Sequence, residues 1–235
     1  MKKHIPWLLF CTFVFTAALL STVLLSRQIT AMAEASDPVK THTIVIDAGH
    51  GGVDGGAVSC TGAPESQYNL EIALRLKDLM ELLGFKTLMV RTEDISVYTE
   101  GTTISSKKIS DLKQRVRIVQ EAENAILISI HQNNFPDSRY SGAVVLHAPT
   151  KGSSELAVLL QRNLISSLNP GSKRSVKKAD GIYLLEHIQV PGVIIECGFL
   201  SNPKEEALLR NKNYQNRLCC VIASSVSSYL SENSL

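Results

Sequence analysis

Three short runs constrain the fold more than any other feature of the chain: TIVID at 43–47, AILISIH at 125–131 and GVIIECGF at 192–199. Each is rich in β-branched residues, with apolar side chains at successive positions and a polar or glycine residue at or near its end. Strands of that kind are buried on both faces, as in parallel sheets covered by helices. The intervening segments supply the helices. SQYNLEIALRLKDLMELLG at 66–84 sets Leu70, Ala73, Leu74, Met80 and Leu83 on one helical stripe, with Ser66 as its N-cap and Gly84 as its stop. KTLMVR at 86–91 predicts a second strand, the Ser/Thr-rich stretch 92–110 a loop, and DLKQRVRIVQEAE at 111–123 a helix. GAVVLHA at 142–148 reads as a strand, 153–168 as a helix closed by NPG, GIYLLE at 181–186 as a strand, and 203–210 and 213–230 as helices. The alternation predicts an α/β fold, one domain around a mixed, mainly parallel sheet with helices on both faces.

Ahead of this domain, residues 5–25 form an uncharged run long enough to cross a hydrocarbon core as a helix. Lys2 and Lys3 precede it, so the positive-inside bias sends the remainder outward. The expected organisation is an N-terminal membrane anchor or signal segment over 1–25, a linker over 26–42 and a folded domain over 43–235. AMA at 31–33 has the form of a signal-peptidase site, but it lies beyond the end of the apolar run, which favours a retained anchor. The domain is then expected on the outer side of the cell membrane, or secreted if the segment is cut.

Removing Lys2 and Lys3 from the 24 basic residues leaves 22, against 22 acidic ones. A formally neutral exported domain argues against a nucleic-acid partner. The densest basic stretch, SKRSVKK at 172–178, reads as a solvated strand edge or loop, or as a patch facing an anionic polymer. Of five cysteines, Cys11 falls in the apolar run; Cys60, Cys197, Cys219 and Cys220 form no CxxC pair, and at least one of the adjacent Cys219 and Cys220 reads as core packing.

In open α/β sheets functional groups gather where strands end. His50 follows the first strand inside GHGGVDGG, His131 ends AILISIH, Glu196 lies toward the end of GVIIECGF, and Glu65 stands just before the first long helix. Singly, each has a bland reading: a polar strand end for either histidine, a helix-terminal carboxylate for Glu65, a partner of a buried Arg or Lys for Glu196. Together, two imidazoles and one carboxylate make a three-ligand set for one catalytic zinc with a fourth position left for water, and Glu196 supplies the base for hydrolysis. GHGGVDGG matches neither phosphate-binding loop pattern, since no Lys follows it and no helix opens directly from it. Asp47 either orients His50 through its second ring nitrogen or merely ends the strand. Asn133 and Asn134 stand ready to bind substrate or to cap a loop.

IVIDAGHGG, Glu65 before a helix, RTED at 91–94, LKQRVRIVQEAENAILISIHQNN at 112–134 and PGVIIECGFLSNPKEEALL at 191–209 together resemble the zinc-dependent N-acetylmuramoyl-L-alanine amidases of the amidase-3 type, bacterial cell-wall hydrolases. The resemblance covers about 43–230. It implies a six-stranded sheet flanked by helices, one zinc held by His50, Glu65 and His131, and Glu196 as catalytic acid/base. The substrate implied is peptidoglycan, cut at the amide between the lactyl group of N-acetylmuramic acid and L-alanine. Ala48, where the family often has proline, and SIHQNN, where SIHANA is frequent, touch no ligand. The rival readings are a non-catalytic wall-binding module and a zinc hydrolase of another amide; retention of all four site residues counts against the first. A tether plus a bare catalytic domain looks like the amidases that spore-forming bacteria use on cortex peptidoglycan, where stem-peptide removal precedes muramic-lactam formation, and this gives the spore envelope as a location. The segment between His131 and residue 142 leaves no room for the helical lid of some division-associated members, which points to an activating partner protein that completes or stabilises the zinc site.

Overall fold

A computed structural model describes residues 15–16, 19–24 and 42–233. The chain divides into two units, Met1–Asp37 and Pro38–Leu235. In the first, the described residues 15–16 and 19–24 are helical; most of the expected anchor and nearly all of the expected linker lie outside the described residues, and among those described no helix is long and apolar enough to cross a membrane.

The second unit is a mixed α/β domain. Its strands are β1 (Thr43–Ala48), β2 (Lys86–Met89), β3 (Ala125–Asn133), β4 (Val144–His147), β5 (Lys177–Lys178) and β6 (Gly192–Phe199), and its helices α1 (Glu65–Leu82), α2 (Ile104–Glu121), α3 (Ser153–Leu168), α4 (Tyr183–His187), α5 (Pro203–Leu209) and α6 (Lys212–Asn233). The strands form one sheet in the order β2-β1-β3-β6-β4-β5. Neighbours run parallel except β4 and β6. Strand alternation divides the core: Ile44, Ile46, Ile128, Ile130 and Ile195 pack with Ile72, Leu160 and Ile222 on the face covered by α1, α3 and α6. Val45, Leu127 and Ile194 pack with Val116, Val119 and Leu185 on the face covered by α2 and α4. A fully buried Ile or Leu contributes roughly 1.5–3 kcal/mol, so the double-sided strands fix the register firmly.

The elements depart from the sequence expectations at four places. Helix α1 begins at Glu65 after Pro64, not at a Ser66 cap; Ser66 lies inside the first turn and is buried. Its buried face is Tyr68, Ile72, Ala73, Leu76 and Met80, while Leu83 is exposed. Gly84, at φ 86°, does stop it. Helix α2 begins seven residues before the expected 111, because the Thr103 hydroxyl oxygen accepts a hydrogen bond from the Ser106 N–H and the Ser106 hydroxyl oxygen accepts one from the Thr103 N–H. GIYLLE yields the short helix α4 instead of a strand. The strand expected at GIYLLE is replaced by β5, Lys177–Lys178, within the basic stretch and at the sheet edge, where exposed lysines discourage further pairing.

Candidate active site

The carboxyl end of β1 leads into a loop shaped around His50. His50 itself adopts φ 60°, and Gly51 and Gly52 follow at 134° and 57°. A left-handed histidine is uncommon and persists only where its surroundings over-determine it. Gly51 and Asp54 exchange main-chain hydrogen bonds of 2.8 and 3.2 Å. The Asp54 carboxylate stands 3.0 Å from His50 Nδ1, and Lys108 of α2 holds Asp54 at 3.1 Å. At Gly49 a β-carbon would overlap the His131 ring, so the loop can approach β3 only with glycine there.

Two buried arginines fix the loop from behind. Arg115 of α2 pairs with Asp47 and donates to the carbonyls of Ala48 (3.0 Å) and His50 (2.7 Å). Arg91, following β2, donates to the carbonyls of Ala48, Gly49 and Ser66 at 2.8–3.0 Å. Arg91 thereby ties the His50 loop to the first turn of α1, which carries Glu65. Asp47 therefore does not orient His50. It is spent on Arg115 and on the Ser129 hydroxyl, which donates at 2.7 Å, and Asp54 takes the role at His50.

Glu65, His50 and His131 converge. His50 Nε2 lies 3.3 Å from one Glu65 oxygen and His131 Nδ1 lies 3.1 Å from the other. The rings stand edge to face with centroids 5.0 Å apart. One ligand atom from each residue falls within 4.8 Å of the others, the single such trio of His, Cys, Asp or Glu among the described residues. Glu65 is buried and also accepts from the N–H groups of Ala57 and Gln132 at 3.0 Å and from Asn69 at 3.1 Å. Burial alone would raise its pKa; the hydrogen bond and charge of His131, the charge of His50 and the Gln132 N–H outweigh burial and hold it at about 2. The donor set, two imidazoles and an ionised carboxylate, fits a catalytic zinc site.

Glu196 neighbours His131 across β3 and β6. Among the described residues it forms no ion pair with an Arg or Lys, contrary to its bland reading, and its Oε2 is buried without a hydrogen-bond partner. Burial pushes its pKa up from 4.5 to about 7, a shift opposed by the His131 charge and reinforced by Glu65. The native fold thus retains a proton that the unfolded chain loses above about pH 4.5, so metal-free protein should lose stability as pH rises from 4.5 to 7. Glu196→Gln should remove that decline: thermal unfolding of both chains without metal should show a variant advantage that opens between pH 5 and 7 and grows no further above it. An advantage already complete at pH 5 would refute the assignment.

A cavity of about 110 Å³ borders His50 and His131 and is lined also by Lys108, Leu112, Tyr183 and Ile194. Asn133 and Asn134, two and three residues beyond His131, are not in its lining; Asn133 is half-buried and Asn134 exposed. The Asn133 carbonyl accepts from the Leu200 N–H at 2.8 Å, and Asn134 reaches toward the Val58 carbonyl at 3.5 Å. Cys60, Cys197, Cys219 and Cys220 are free, with Cys197 and Cys219 buried.

Residues 44–228 match the family model of N-acetylmuramoyl-L-alanine amidases. The chain belongs to that family. It hydrolyses the amide between the N-acetylmuramic acid lactyl group and L-alanine in peptidoglycan. Among its relatives, the germination-specific N-acetylmuramoyl-L-alanine amidase of Bacillus subtilis is 34% identical over 234 residues, which cover 99% of this chain and 98% of that protein. The CwlD amidase of Clostridioides difficile, solved in complex with the GerS lipoprotein, is 37% identical with a TM-score of 0.78 over 81% of this chain and 99% of that one. An N-acetylmuramoyl-L-alanine amidase from Clostridium difficile 630 is 30% identical with a TM-score of 0.70, covering 82% of this chain and 98% of that one. The amidase domain of this chain therefore has the family's architecture.

The four residues singled out in the sequence lie together, whereas Arg91, Arg115, Asp54 and Asn69 were not singled out. The one sequence signal for any of them is Asp54, a carboxylate four residues after a histidine in a glycine-rich loop.

Proposed function

We propose that this amidase is zinc-dependent and acts on spore-cortex peptidoglycan, with His50, Glu65 and His131 as the metal ligands and Glu196 as the general base. The observation that carries the reading is the buried, unpartnered Glu196 carboxyl, with a pKa of about 7, on the strand beside a closed His–Glu–His trio. A zinc ion in that trio supplies Lewis acidity toward the lactyl carbonyl and eases deprotonation of water. Glu65 contributes the one negative ligand. Asp54 fixes the orientation of His50 through Nδ1, as an outer partner of a ligating imidazole does. Glu196, poised near neutrality, accepts a proton from the attacking water and returns it to the departing alanine nitrogen. Asn133 and Asn134, which follow His131 by two and three residues, are assigned to contacts with the glycan or peptide.

The cortex assignment draws on the germination-specific relative that matches nearly end to end, with stem-peptide removal preceding lactam formation. The apolar run at 5–25 would hold the domain, over 43–235, outside the membrane or in the spore envelope. The complex of the C. difficile amidase with a lipoprotein supports an activating protein partner here too. The test is digestion of peptidoglycan by the purified chain with zinc, followed by end-group analysis. New N-terminal alanine, abolished by chelator and restored by zinc, is the expected result. No free alanine termini, with binding to the wall retained, would identify a non-catalytic module.

A further inference from the structure

The site above leaves unused a cavity of about 840 Å³ beyond the start of β4, whose lining includes Arg139, Tyr140, Gly142, Asn169, Lys173 and Arg174. Its charge is predominantly positive. The one acid in the lining, Asp137, is engaged by Arg139 at 2.6 Å. Arg174 is held differently. Its Nε donates to the Ser141 carbonyl at 2.6 Å, and its guanidinium carbon lies 4.6 Å from the Phe199 ring centroid and 5.8 Å from that of Tyr140. Among the described residues no carboxylate forms an ion pair with it, and its two terminal nitrogens make no hydrogen bond. A guanidinium fixed by Nε and lying over aromatic rings has already lost much rotamer freedom, so its remaining fork binds a carboxylate at reduced entropic cost.

The wall behind it is equally fixed. Glu205 accepts from the N–H groups of Gly142 (2.7 Å) and Phe199 (2.9 Å), and the Asn169 side chain accepts from Ala143 N–H (3.2 Å). Position relative to the chemistry follows from the sheet. Val144 pairs with Glu196, and Glu196 with His131, so the strand leading to Gly142 stands two strand spacings, roughly 10 Å, from β3. An extended peptide covers that span in about three residues at ~3.3–3.6 Å each.

We propose that this cavity is the subsite for a free carboxylate of the substrate's stem peptide, with Arg174 as the anchoring cation and Arg139 and Lys173 as the surrounding field. The assignment rests on the amidase reading of the site. It is tested with two synthetic N-acetylmuramoyl peptides that differ only in whether the stem carboxylates are free or amidated. Arg174→Gln should raise KM for the free acid about ten- to a hundredfold while kcat stays within about twofold and the amidated substrate loses its disadvantage. Arg174→Lys should recover part of the loss, because it keeps the charge and loses the fork. Thermal unfolding of both variants serves as the control for folding. An unchanged KM, or an equal rise on both substrates, overturns the subsite. Binding of the isolated stem peptide by calorimetry separates the two readings. Arg174-dependent binding without turnover by the wild-type chain overturns the amidase reading alone, whereas turnover with no Arg174 dependence overturns the subsite alone.

Discussion

Glu196→Gln is expected to retain stoichiometric zinc and to lose about a thousandfold in kcat, within the range that positioned general acid–base catalysis supplies. The substitution keeps the shape of a side chain whose Oε2 is buried and unpartnered, and it removes a carboxyl whose pKa stands at about 7. Metal retention follows because Glu196 is not one of the three converging residues. The two measurements are metal content after dialysis and initial rates on a muramoyl peptide. If Glu196 were only a tolerated polar residue within β6, the amide would be neutral for turnover and favourable for folding. Activity within tenfold of wild type would therefore remove Glu196 from the mechanism and leave the base to be sought elsewhere around the cavity near His50.

What the sequence disclosed about this site depended on whether the cause was local. Strands β1, β3 and β6 are legible because burial on both faces leaves one run of apolar residues, and His50, His131 and Glu196 are legible because each interrupts or ends such a run. Helix α1 is harder for the same functional reason. Its buried face includes Glu65, Ser66 and Asn69 as well as apolar residues, so a stripe sought in apolar positions alone comes out rotated. GIYLLE is too short to distinguish a period of two from one of 3.6, and the adjacent buried Leu184 and Leu185 suit one helical turn against the sheet. The edge strand Lys177–Lys178 carries no apolar signal at all. The arginines are the extreme case: RTED and LKQRVR give no hint that Arg91 and Arg115 reach across roughly 40 and 65 residues of sequence to three consecutive carbonyls, because that contact is created by the packing of α2 and the segment after β2 against the end of β1.

Those carbonyl contacts make Arg115 the second position of large expected effect. Its side chain is 3% exposed and that of Asp47 1%, so Arg115→Met leaves a carboxylate buried without its cation, a loss of about 3–5 kcal/mol. For a domain of this size that corresponds to a fall in Tm of roughly 10 °C. Stability alone would not distinguish a structural ion pair from a device that holds His50. The distinction comes from the double variant Asp47→Leu with Arg115→Met, since replacing both members of a buried pair by apolar side chains is often near neutral for folding; Asp111, which Arg115 Nε also engages at 2.6 Å, is the more exposed carboxylate at 14% and keeps the Val97 N–H. In that variant the Ala48 carbonyl retains Arg91, whereas the His50 carbonyl has lost its Arg115 donor, and His50 has less to keep it at φ 60°. The expected outcome is a Tm close to wild type with zinc affinity still reduced about tenfold or more in chelator competition, the scale associated with loss of supporting contacts around a ligand. Wild-type zinc affinity in the double variant would show that Asp54 and the glycines hold His50 unaided and that Arg115 serves only the fold.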